Sequence, residues 1–148
     1  MTTRALALRL GIRAPSLYKH IRDKGDIEAG LQERALLDLA HHLDGAGLEL
    51  EDLARAYRGW AKAHPRLYTL TTRRPLARDR LAEGVEAAAA APLVAAVGGD
   101  EHLARALWSL AHGLVDLELA ERFPPGADLD ATWRRALRAF RASLSAES

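Results

Sequence analysis

Between Gly98-Gly99 and Pro124-Pro125-Gly126 the chain carries apolar residues on two sides of a helical repeat. Leu103, Leu107, Leu110, Leu114 and Leu117 make one seam at steps of four and three. Trp108, His112, Val115, Leu119 and Phe123 make a second. A helix that is apolar on two sides is buried on two sides. One side faces the chain's own core, and the other asks for a further partner. Gly113 and the small Ala104, Ala106 and Ala111 let a neighbouring helix come close. The pattern predicts a helix from about Asp100, an N-cap candidate, to Phe123. After the Pro-Pro-Gly break, Asp128 caps a last helix with the stripe Leu129, Trp133, Leu137, Phe140 and Leu144. Arg134, Arg135, Arg138 and Arg141 lie off that stripe, in solvent. Two such helices from each of two subunits make a four-helix interface, so a homodimer through the last two helices is expected. The competing arrangement packs both seams inside one subunit.

The rest of the chain is also helical in period, and the fold class is all-α. A long helix is predicted from about Lys24 or Asp26 to Leu43, with Ile27, Leu31, Ala35, Leu39 and Leu43 on one side. Gly45-Ala46-Gly47 breaks it. The next runs from about Glu51 to His64, with Leu50, Leu53, Tyr57, Trp60 and His64 in register. Pro65 starts another, carrying Leu67, Tyr68 and Leu70, which ends near Arg73-Arg74-Pro75. A further helix is expected over about Arg78 to Ala91. Pro92 breaks or kinks it, and Leu93, Val94 and Val97 continue in a second segment. Tyr57, Trp60 and His64 leave two readings open. They are core residues whose polar tips are satisfied locally, or they are the wall of a pocket with a few hydrogen-bonding points.

With 148 residues the chain makes one domain, or one domain with a small appendage. It has no cysteine, which removes disulfides and thiol chemistry. No apolar run is long enough for a bilayer and no cleavable signal precedes the first helices, so no membrane partner and a cytoplasmic location are expected. Enzyme chemistry finds no footing. His41 and His42 are adjacent and point about 100° apart on a helix, which does not suit one metal. There is no phosphate loop or nucleophile elbow. No catalytic residue, cofactor or metal is expected.

Residues 1–22 read as two short helices joined by a tight turn. Thr2 or Thr3 caps the first through its hydroxyl. Leu6 and Leu10 share a face, and Gly11 ends the helix. Pro15 opens the second, which turns Leu17 and Ile21 inward. This is the helix-turn-helix layout, whose second helix enters the major groove. The net charge of the whole chain is only +1. Locally, though, Arg4, Arg9, Arg13, Lys19, Arg22 and Lys24 face only Asp23, a cluster suited to phosphates.

Four short runs here, Thr2 to Ala7, Leu10-Gly11-Ile12, Ala14 to His20 and Asp23-Lys24, closely resemble the DNA-binding segment of the TetR family of bacterial transcriptional regulators. Trp108-Ser109-Leu110-Ala111-His112-Gly113 resembles the Trp/His/Gly segment of one subgroup of TetR C-terminal domains. The resemblance implies a helix-turn-helix segment with its linking helix over 1–43, and a ligand-binding and dimerisation domain over 44–148. It places Ala14, Pro15 and Ser16 near base edges and backbone, and Thr3, Tyr18, His20 and Lys24 near the DNA, the last three at phosphates. Lys19 serves base or backbone, and Arg13 can reach a guanine. Trp60, His64, Tyr68, Trp108 and His112 are the effector candidates, with Asp116 one turn beyond His112 to orient the imidazole. The implied partners are a double-stranded palindromic operator and a small, largely apolar effector whose binding releases the DNA, as for a repressor.

The family also has a helix ahead of this motif. Without it Leu6, Leu10, Leu17 and Ile21 lose partner surface, about 1.5–3 kcal/mol for each residue left exposed. Residues 1–22 are then expected to be mobile or repacked. The alternative function is a dimeric small-molecule-binding or interaction module that no longer holds DNA.

Overall fold

The structure, a computed structural model, describes residues 23–146. The expectations for residues 1–22 lie outside the described residues. Six α-helices and no strand occur among those described: α1 Lys24–Asp44, α2 Leu50–Ala63, α3 Pro65–Thr72, α4 Val85–Ala96, α5 Glu101–Leu119 and α6 Leu129–Ala146. The all-α class holds.

Helix α1 starts where Asp23 leaves the helical region and its carboxylate accepts from the Asp26 N–H at 2.9 Å. It ends at Gly45, and the turn beyond needs Gly47 at φ +88°. Its inward residues are Ala29, Gln32, Ala35, Leu36, Ala40 and Leu43. The buried face is therefore turned from the expected stripe, and Ile27, Leu31 and Leu39 are only half-buried. Helix α1 lies most extensively against α4, and also against α2 and α3. Helices α2 and α3 join at His64, the last cap of one and the first of the other, with Pro65 in the first turn of α3.

The largest departure from the predicted elements lies between α3 and α4. Residues 78–84 are not helical. Gly84 has φ +83°, a conformation a right-handed helix cannot pass through, and α4 begins directly after it. Nor does Pro92 break the helix: it sits buried inside α4. The ring forfeits a backbone hydrogen bond, and burial of Leu93 and Val97 beyond it offsets that loss.

Helix α5 is capped by Asp100, which accepts from the backbones of His102 and Leu103 at 2.8 and 3.1 Å. It stops at Leu119, short of Phe123. Glu121 takes φ +53°, and the N–H groups of Arg122 and Glu121 return to the carbonyls of Leu117 and Glu118. That is a Schellman closure with a glutamate in the left-handed position usually held by glycine. The face α5 turns inward is Ala104, Leu107, Ala111 and Val115, which lies between the two expected seams. Leu117 is 44% exposed and Trp108 47% exposed. Asp128 caps α6 through the Ala131 N–H, and Trp133 and Leu137 pack into the core. Arg134, Arg135, Arg138 and Arg141 are exposed as expected, and Arg141 also pairs with Glu51 and Glu49 at the start of α2.

Candidate functional site

The five effector candidates divide into two groups. Tyr68 of α3 and Trp108 and His112 of α5 come together, joined by Tyr57 of α2. The Trp108 Nε1–H donates to the Tyr57 hydroxyl at 3.2 Å. The Tyr57 and Tyr68 hydroxyls are 2.8 Å apart, and the Tyr68 hydroxyl is 2.6 Å from Nδ1 of His112. One sense of this chain uses every proton: Trp108 to Tyr57, Tyr57 to Tyr68, Tyr68 to His112 Nδ1. An indole can only donate. In the reverse sense Tyr57 accepts twice and its own proton has no acceptor in the network. The neutral imidazole is therefore the Nε2–H tautomer. Burial pushes the Tyr57 phenol up to about 12, against the hydrogen bond it accepts from Trp108. Burial also raises the Tyr68 phenol, helped by Tyr57 and by the negative charge of Asp116. Both phenols are held protonated, as donors in a dry core.

Tyr57 was in the predicted stripe but not among the effector candidates. Its signal was its place three residues ahead of Trp60 on the same face. Asp116 does not orient the imidazole: Tyr68 does, while Asp116 is held by Arg73 at 3.0 Å.

Trp60 and His64 form the other group, around Asp38 of α1. The Trp60 indole donates to the Asp38 carboxylate at 2.7 Å, and His64 Nε2 lies 3.9 Å from the same oxygen. The Trp60 and His64 rings are 5.3 Å apart. These residues tie α2 and the α2–α3 junction to α1. A hollow of about 430 Å³ beside Asp38 runs along the outer face of α1, lined also by Gly30, Glu33, Arg34, Leu37 and His41. A second, about 260 Å³, lies between the end of α5 and the start of α6, lined by Glu118, Phe123, Pro124 and Leu129 among others. Neither is lined by the Tyr57, Tyr68, Trp108 and His112 cluster. A molecule reaching that cluster must displace Trp108, the most exposed of the four, or exchange hydrogen bonds that the protein now makes to itself.

A charged cluster fixes α2 against the α5–α6 end. Arg58 binds Glu118 with two parallel contacts of 2.8 and 2.9 Å and Asp130 at 2.6 Å, and Lys62 adds a third contact to Glu118 at 2.8 Å. The Arg58 guanidinium also lies over the Trp133 ring, 5.5 Å from its centroid. Burial works to raise the Glu118 carboxyl, but the hydrogen bonds and charges of Arg58 and Lys62 outweigh it and hold the group below the usual range.

Of the DNA-contact candidates, Thr3, Arg13, Ala14, Pro15, Ser16, Tyr18, Lys19 and His20 lie outside the described residues. Lys24 is the first residue of α1 and is exposed. Among the described residues no group of three or more His, Asp or Glu side chains is placed to hold a metal ion. No helix there is long and apolar enough to cross a membrane.

Residues 50–140 match the family described as the tetracyclin repressor-like, C-terminal domain. The uncharacterized HTH-type transcriptional regulator Rv0681 of Mycobacterium tuberculosis is 35% identical over 133 residues, covering 80% of this chain and 61% of that protein. The chain thus spans less than two thirds of the length of this curated relative. The crystal structure of SCO4313, a protein assigned a regulatory role, matches with a TM-score of 0.74 at 25% identity, over 94% of this chain and 84% of that one.

Proposed function

The chain belongs to the TetR family of regulators, and from that premise we propose that it is a DNA-binding transcriptional repressor that a small effector releases from its operator. Residues 1–43 hold the DNA-reading segment and its linking helix, and residues 44–148 bind the effector and pair two copies. What carries the reading is the placement of α1. It begins at Lys24, directly after the basic stretch of sequence that resembles the family's DNA-binding segment, and is bonded through Asp38 to Trp60, on the helix that also carries Tyr57. A change at the aromatic cluster therefore has a bonded route to the helix that carries the reading segment.

Pairing is supported by the outer side of α5. Leu103, Ala106, Leu110, Gly113 and Leu117 step by three and four, the spacing of a packing seam. A Cβ built at Gly113 meets nothing within 4 Å, so the space there is open to a second helix. A dimer sets two reading segments at the spacing of successive major grooves. The effector is a small, largely apolar molecule with a few polar points, matched to Trp, Tyr and His side chains.

The test is a gel-shift titration of the full chain against DNA from upstream of its own gene, repeated at rising salt. Saturable binding that weakens steeply with salt and is abolished by Arg13→Ala with Lys19→Ala supports the reading. A dimer that shifts no DNA at low salt overturns it in favour of a ligand-binding module.

A further inference from the structure

Arg73 and Arg74 are neighbours in the chain and pull in opposite directions. Arg73 holds Asp116 of α5 at 3.0 Å, and Arg74 holds Glu28 of α1 at 2.5 Å. They open an irregular segment, residues 73–84, that is fastened along the first half of α1. Gln32 is wholly buried there. Its Nε2 donates to the carbonyls of Leu70 and Pro75, each at 3.2 Å, and its Oε1 accepts from the Ala77 N–H at 3.0 Å. The Glu33 carboxylate accepts from the Ala82 N–H at 2.9 Å. Arg80 reaches the helix start and contacts Asp23 and Asp26 at 3.0 and 3.3 Å. Its guanidinium lies over Gly25, where a Cβ would stand only 2.1 Å from Nη1. At the far end Arg78 binds Glu86 of α4 through two contacts of 2.8 and 2.6 Å.

We infer that residues 73–82 are a coupling strap, in which Arg73 senses the His112 side of α5 and Arg74, Gln32, Glu33 and Arg80 pass its position to the first turns of α1. Asp116 is one helical turn from His112, so a shift of α5 at His112 carries with it the carboxylate Arg73 holds. The strap has no helix of its own to absorb the movement. Three of its backbone groups, the Pro75 carbonyl and the Ala77 and Ala82 N–H groups, are bonded to side chains of α1, so at those points it follows α1 and α1 follows it. The two arginines, Gln32 and Arg80 are positioning residues that touch neither effector nor DNA. The inference rests on the proposed regulator, since it names how that regulator's two ends communicate.

The test needs no DNA and no effector, so it can fail or succeed apart from that reading. Hydrogen exchange is measured on the full chain with Asp116→Asn, which loosens the Arg73 contact at the α5 end. The expected result is exchange about threefold or more faster at amides 28–33 of α1, some 85 residues away in sequence. The same substitution is then made in a chain carrying Arg74→Ala and Arg80→Ala, both exposed positions whose loss leaves the core intact. The effect of Asp116→Asn on amides 28–33 falls there to less than half. No change at 28–33 in the first chain overturns the strap, and so does a change that persists at more than half in the second. Gly25→Ala, which crowds Arg80 off the helix start without altering any charge, is expected to reproduce the Arg80→Ala behaviour.

Discussion

The Tyr68 hydroxyl lies 2.6 Å from Nδ1 of His112, which is 44 residues further along the chain. This contact terminates a chain of three hydrogen bonds whose sense is set at the other end by the Trp108 indole, which can only donate. Tyr68→Phe removes the acceptor of Tyr57 and the donor to His112 together. Leaving the buried Tyr57 hydroxyl and the half-buried His112 ring nitrogen unpaired is expected to cost about 2–3 kcal/mol in urea unfolding. Tyr57→Phe is expected to cost less, about 1 kcal/mol, because the Trp108 N–H it orphans sits at a half-exposed ring that water can reach. Nitrogen NMR of the neutral ring should show the proton on Nε2, and a proton on Nδ1 would contradict the chain.

Alkaline titration follows from the same phenols. A phenol whose folded value lies above its unfolded value of 10.0 contributes stability that is complete below pH 10 and is lost as pH rises through the folded value, about 12 for Tyr57. Tyrosinate absorbance from Tyr57 and Tyr68 is therefore expected only as the fold opens, coincident with loss of helical circular dichroism. Absorbance reporting both ionised while the helices persist would refute their burial.

The Arg58 and Glu118 pair predicts the acid side. The Glu118 carboxyl is held below its usual value of 4.5, so its contribution is present above that value and is lost as pH falls through the depressed one. Glu118→Gln is expected to flatten the acid limb of the stability curve below about pH 4.5. Arg58→Ala leaves a carboxylate that is 10% exposed with only Lys62, and is expected to cost about 2–3 kcal/mol at neutral pH. Thermal unfolding of the two variants from pH 3 to pH 7 checks both.

The open side of α5 separates two effects at one position. Gly113→Ala places a methyl where the chain has no atom within 4 Å, so a lone subunit gains about 1 kcal/mol of helix stability. Gly113→Leu fills the space that the proposed pairing gives to a second copy, and is expected to raise the dissociation constant of that dimer at least tenfold in sedimentation equilibrium. Equal dimerisation of Gly113→Leu and the parent chain would move the interface elsewhere.

Glu121 offers a simple stabilisation. It occupies the left-handed region at φ +53°, where a side chain costs free energy that glycine does not. Glu121→Gly is expected to raise stability by about 0.5–1 kcal/mol, the relief of strain exceeding the added freedom of the unfolded chain. Denaturant unfolding with an unchanged slope checks it.

Local signals gave the ends of α1, α2 and α3 to within a residue or two, and the caps Asp100 and Asp128, because capping and proline placement act over a few neighbours. The break near Arg73 to Pro75 was legible, but residues 78–84 escaped because the conformation of this segment is decided by Gln32 and Glu33, more than forty residues earlier. Arg78, Arg80, Leu81, Ala82 and Glu83 are good helix formers, and tertiary bonds override that preference. Pro92 misled for the same reason, since the core on either side of it decides. On α5 the leucines drew the seams, whereas alanines at 104 and 111 mark the side that packs. Small residues carry little weight in an apolar pattern, yet they set how closely two helices can lie. Among the candidate site residues, Tyr68, Trp108 and His112 were picked out by type together with Trp60 and His64, and the sequence did not separate the two groups. That Tyr57 completes them required knowing which stripes face each other.

The fastening of α1 mixes two kinds of bond that answer differently to dissolved ions. Arg74 and Arg80 hold through charge at exposed positions, and such contacts fade as counterions gather. The Gln32 amide is neutral and sealed from water, so its three bonds are indifferent to ionic strength. In concentrated brine the rod is therefore expected to stay pinned at Gln32 while its leading turns come loose, turning a clamp into a hinge.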